Sequence, residues 1–114
     1  MAFGTRAELD PVREIAFGSI SGAYATVGGP LTSHARIIRF SNSTDTDMYI
    51  SDDGVNNKIR LSSNGFILLD FSSNKIRDDG LFKAIDTQFY VKQAAGAPTK
   101  GAVWIEVVFA TGGV

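Results

Sequence analysis

Apolar and polar positions alternate with period two through most of this chain, and the clearest case lies near its end. In "AVWIEVVFA", Val103, Ile105, Val107 and Phe109 fall on one side and Trp104, Glu106 and Val108 on the other, the pattern of a strand with one face buried. "TQFYVKQ" opposes Phe89 and Val91 to Gln88, Tyr90 and Lys92. "MYIS" and "KIRL" set Met48 and Ile50, then Ile59 and Leu61, on a core side, with an Asp, Gly and Asn cluster between them that predicts a hairpin. "HARIIRF" places Arg36, Ile38 and Phe40 on one face, with Ile37 and Arg39 on the other. "FILLDFSS" is almost continuously apolar, as in a strand buried on both sides or held at a subunit contact.

The remaining segments are weaker. "REIAFGSISGAYATVGG" reads as two short strands or one broken strand, closed by Gly28, Gly29 and Pro30, where ladder pairing should stop. "NKIRDDGLFKAID" predicts a helical turn or an irregular crossover. The lead-in "MAFGTRAELDPV" is mixed, with Asp10 and Pro11 marking a turn. About seven or eight short strands joined by polar turns, with no strong helix, predict an all-β fold: an antiparallel β-sandwich of jelly-roll type. An extended N-terminal arm over residues 1–12 and one sandwich domain over 13–114 complete the expected organisation.

Composition narrows the chemistry. The 114 residues include no cysteine, which removes disulfides, thiolate zinc sites and cysteine nucleophiles. Eleven Lys and Arg against twelve Asp and Glu give a net charge of -1, with the basic residues scattered; no nucleic-acid partner is expected. No apolar run approaches the roughly 20 residues of a membrane helix, and the charged N-terminal stretch does not read as a signal peptide.

Four features bear on activity. Asp52 and Asp53 sit beside Gly54 in "ISDDGVNN", but a calcium loop spaces its acids around the ion and ends on glutamate, so a hairpin turn is the expectation. His34 is the one histidine and has no G-x-S-x-G serine to serve. Asp70 and Glu106 each lie inside an apolar strand and would matter for hydrolysis only if they faced one pocket. Tyr49, Tyr90 and Trp104 fall opposite the core residues of their strands, where aromatics pack in a protein interface, stack on sugars, or mark a misread core face. No catalytic, metal or cofactor residues are expected.

The order "NSTD", "ISDDG", "FILLDFSSNK", "TQFYVKQ" and "GAVWIEVVFA" resembles a group of small virion proteins of tailed bacteriophages, over roughly residues 15–110. In place of the glycine that precedes "TQFYVKQ" in that pattern, this chain has Asp86. The resemblance implies a non-enzymatic capsid decoration or cement protein with a jelly-roll fold. It would be made in the host cytoplasm, located on the virion capsid surface, and would bridge major capsid protein subunits as a homo-oligomer, dimer or trimer. A neck or tail adaptor and a host-facing carbohydrate-binding module are the alternatives it leaves open. Phe3, Leu9 and Val12 would anchor the arm. Tyr49, Tyr90 and Trp104 would complete the interface, with Trp104 and Tyr90 buried together between copies.

Overall fold

The computed structural model describes residues 6–70 and 86–111, and side chains over 8–70 and 86–109. Phe3 and nearly all of "NKIRDDGLFKAID" lie outside the described residues. Among the described residues nine strands form: β1 (Arg6–Leu9), β2 (Arg13–Ala16), β3 (Ala25–Thr26), β4 (Ala35–Asn42), β5 (Met48–Ser51), β6 (Ile59–Leu61), β7 (Phe66–Asp70), β8 (Tyr90–Gln93) and β9 (Ala102–Thr111). A 3-10 turn, Phe17–Ser19, interrupts the segment between β2 and β3. Among the described residues no helix is long and apolar enough to cross a membrane.

All pairings are antiparallel. One sheet runs β1-β9-β4-β7, with β2 also on β9; the other runs β3-β8-β5-β6. The pairs are nested: β5 with β6, around them β4 with β7, then β3 with β8, then β2 with β9. A long hairpin folded so that successive pairs alternate between two sheets is the jelly roll. The expected fold class is therefore the observed one.

The core follows from the alternation. Ile15, Ile38, Phe40, Val103, Ile105 and Val107 point inward from the first sheet, and Met48, Ile50, Leu61 and Val91 from the second. Phe40 and Phe89 meet edge to face across the sandwich, with ring centroids 5.3 Å apart, a favoured aromatic geometry.

Three local features modify the pattern read from the sequence. Within the expected arm, Arg6–Leu9 is a strand laid along the last four residues of β9. Pro11 interrupts this edge, and the register between β9 and its partner moves by one residue from β1 to β2. Such a shift swaps faces: Leu9 pairs with outward-facing Val108, while Arg13 pairs with buried Ile105. Secondly, a bulge between Ala35 and Ile37 breaks the alternation of β4. It buries Ala35 and leaves Arg36 only half-buried, instead of on the core face with Ile38 and Phe40. Thirdly, Phe109 is half-buried where the core was expected to continue; it lies beyond the bulge, opposite Ala35.

Candidate functional site

Among the described residues, exposed large apolar side chains gather on the outer face of the first sheet. Register places Leu68, Arg39 and Glu106 in one row across β7, β4 and β9, flanked by the rows Phe66–Ser41–Trp104 and Asp70–Ile37–Val108. Leu9 on β1 extends the last of these rows. Exposure is high for large apolar groups: Leu9 is 81% exposed, Phe66 61% and Leu68 53%. Ile37, Trp104 and Val108 are half-buried by their neighbours. The nearly continuous apolar run of β7 thus buries only its inner side, where Ile67 and Leu69 pack on the core.

Charge on this face is confined to its middle and margins. Arg39 Nη1 lies 3.6 Å from Glu106 Oε1, and both side chains are about half exposed. The guanidinium also sits over the Phe66 ring, 5.0 Å from its centroid. The Ser41 hydroxyl, between Trp104 and Phe66, is covered and has no hydrogen-bond partner. Asp70 and Glu106 share this open face but stand two strands apart, with β4 and its Arg39 between them. They do not face one enclosed pocket.

The opposite outer face carries a different pattern. Lys92, Tyr49 and Arg60 form a row across β8, β5 and β6, and Tyr24 continues it just before β3. The Lys92 ammonium lies 4.9 Å from the Tyr24 centroid and 6.0 Å from that of Tyr49, while Arg60 lies 5.7 Å from Tyr49. Each spacing is within reach of a cation–π contact. Arg60 is also paired with Asp47 at 2.8 Å, and the Tyr24 hydroxyl donates to Asn57 Oδ1 at 2.5 Å.

Trp104 and Tyr90 are therefore on opposite sides of the sandwich, in different sheets. Tyr90 is further covered by the hairpin tip: a Cβ at Gly54 would lie 3.3 Å from its ring. Val12, 57% exposed, lies in the β1–β2 link. Of the expected interface residues, Leu9 and Trp104 share the outer face of the first sheet, and Tyr49 and Tyr90 share that of the second. Tyr24, Arg60 and Lys92 were missed as a group, although pairing the alternating segments across the predicted hairpin would have put Tyr49 beside Arg60.

The acid-rich turns are hydrogen-bonded to the backbone. Asp53 Oδ1 accepts from Ser51 Oγ at 2.6 Å and from the Val55 and Asn56 amides at 2.8 and 2.9 Å, and Oδ2 accepts from Asn56 Nδ2. The Ser51 hydroxyl and these amides hold the Asp53 carboxyl well below the usual carboxylate range. Asp52 pairs with Lys58 at 3.1 Å, which raises the lysine above its ordinary value. Among the described residues no group of three or more His, Asp or Glu is close enough to hold a metal ion.

At the β4–β5 corner, the buried Asn42 carboxamide donates to the Thr46 and Leu61 carbonyls and accepts from the Thr44 amide and hydroxyl. The Asp45 carboxylate accepts from the Thr99 amide and hydroxyl, tying this corner to the loop before β9. A slot of about 100 Å³, walled by Phe40, Ile50, Ile59, Leu69 and Phe89, opens between the sheets; ligand pockets usually measure roughly 300 Å³ or more. Comparisons with protein-family models, curated proteins and solved structures find no match for this chain.

Proposed function

We propose that this protein is a non-enzymatic structural component of a phage virion, a decoration or cement protein on the capsid surface that bridges major capsid protein subunits. The observation that carries the reading is the apolar outer face formed by Leu9, Phe66 and Leu68 around half-buried Trp104. Exposed apolar groups gathered on one face mark a contact surface, which in a capsid layer meets a capsid subunit or a neighbouring copy of this chain. The sequence resemblance supplies the setting.

The residues that carry the resemblance have physical tasks that fit a rigid adhesive module. "NSTD" is the wired β4–β5 corner, "ISDDG" is the strand end and tip that cover Tyr90, and "GAVWIEVVFA" is the strand that both outer partners share.

Quantitation of purified particles tests the proposal. A copy number comparable to that of the major capsid protein, and particles that lose heat tolerance when stripped of the protein, are the expected results. A dozen copies or fewer would instead place the protein in the neck or tail, and stripped particles as robust as intact ones would remove the cementing role.

A carbohydrate-binding module is the second reading, favoured by the row Tyr24–Lys92–Tyr49–Arg60. Aromatic faces beside cations suit an acidic sugar. Binding on a glycan array that disappears in Tyr49→Ala would establish it, and an array without hits would dismiss it.

A further inference from the structure

We infer that the outer face of the β7–β4–β9 sheet binds a second copy of the same chain, packed face to face about a twofold axis that runs along the strands between β4 and β9. The argument starts from charge. An apolar sheet face with one cation and one anion at its centre, side by side on neighbouring strands, is complementary to itself. A twofold axis lying in the contact plane and parallel to the strands carries each β4 position onto its β9 row partner in the other copy.

Arg39 then faces Glu106, and Glu106 faces Arg39, so the 3.6 Å pair within one chain becomes a four-charge cluster. Burial of charge is tolerated when each group keeps opposite partners. The same operation places Ile37 on Val108 and Trp104 over the small Ser41. At the margins of those rows it sets Leu9 on Asp70 and Phe66 on Glu14, so the apolar match is confined to the two central strands. An axis perpendicular to the strands at the Arg39 row would instead set Arg39 on Arg39, and like charges opposed across an interface are costly.

Size is sufficient. The ten residues of β9 span about 34 Å and four strands abreast about 19 Å. Because β4, β7 and the β1–β2 edge are shorter, at eight, five and eight residues, the footprint is about 500 Å² per copy and about 1,000 Å² in total, at the lower bound of a specific interface. The two first sheets would stack as layers of a larger sandwich, at the roughly 10 Å separation of aligned sheets. Such a back-to-back pair also points its two second sheets in opposite directions, which is the geometry a bridge between two subunits needs. This last clause rests on the cement reading; the pairing itself does not.

Sedimentation equilibrium of the intact isolated protein is the test. The wild type should form dimers in the micromolar range. Arg39→Glu and Glu106→Arg should each weaken association about 100-fold or more, because each places two like charges at two related positions. The double exchange should restore it. A wild type that stays monomeric at about 1 mM, single reversals that leave the dimer intact, or a double exchange that does not recover would each overturn the inference.

Fluorescence gives an independent reading without substitution, since Trp104 is the one tryptophan. Its emission should shift to the red on dilution through the dissociation range, and no shift there would contradict the proposed face. A monomer would leave the virion proposal to its own particle assay, so the two failures are distinguishable.

Discussion

Gly101 lies so close to Ser43 that a Cβ added to the glycine would stand 2.2 Å from the Ser43 carbonyl oxygen. Its φ of 89° is also in the region that favours glycine. The contact lets the Ser43 amide and hydroxyl both reach the Ala102 carbonyl, at 2.9 and 3.0 Å, where β9 begins. Gly101→Ala should therefore cost about 3 kcal/mol or more, through steric displacement and backbone strain together. Urea unfolding measures it, and a loss below about 1 kcal/mol would show that the corner can relax.

Asp86 is the opposite case. Its φ is 71°, a left-handed conformation that a side chain disfavours, while its amide donates to Leu31 O at 2.8 Å. Asp86→Gly should stabilise the fold by about 1 kcal/mol, because the strain removed exceeds the extra freedom that glycine gives the unfolded chain. A thermal melt displaced upward by several degrees is the expected result; an unchanged or lowered midpoint would refute it.

Arg13 and Asp10 form a largely buried ion pair, with Nη1 2.7 Å from Oδ2. The arginine also donates through Nε to Gly29 O at 2.8 Å and through Nη2 to Pro30 O at 2.9 Å, tying the "GGP" loop to the first sheet. Removing one member leaves the other charge under-solvated. Asp10→Ala should cost about 3 kcal/mol, and the double variant Asp10→Ala with Arg13→Met should recover part of that loss. A strictly additive double-mutant cycle would count against the coupling.

Acid sensitivity should arise in the turns. Asp53 is held below its ordinary value chiefly by the Ser51 hydroxyl, Asp47 chiefly by the Ser63 amide, and Asp45 chiefly by the Thr99 hydroxyl. Each folded-state carboxyl binds its proton less readily than the unfolded one, so its stabilising effect is complete above the ordinary value of 3.8 and is lost as pH falls below it. Denaturant midpoints should be flat from pH 7 to about pH 5 and then decline. In Asp53→Asn the decline should be shallower; an acid limb identical to that of the wild type would assign the titration elsewhere.

The sandwich was legible in the sequence because period two survives wherever a strand has one wet face. Met48, Ile50, Leu61, Val91, Val103, Ile105 and Val107 all fall inward as their alternation predicts. Alternation misleads where the backbone changes step: at Pro11, which separates Leu9 from Arg13, and at the bulge after Ala35. Neither event leaves a trace in hydropathy. The candidate face was less legible, because parity says that Trp104 and Tyr90 are both turned away from the core but not that they belong to different sheets. That assignment depends on the nested pairing, a long-range property. Arg13 was missed for a related reason, since a buried arginine looks like a surface one until its carbonyl partners are folded against it.

The nested strand order also governs time. The β5–β6 hairpin closes a short loop, whereas β2 can join β9 only when nearly the whole chain has been gathered in, with Arg13 beside Ile105. Loop closure costs more entropy as the span grows, and folds dominated by distant pairings reach the native state in milliseconds to seconds. Contacts along β2 and β9 that are absent at the folding barrier act on unfolding alone. The Asp10–Arg13 clasp, set on that outermost pair, is placed to prolong the lifetime of the folded protein rather than to hasten its formation.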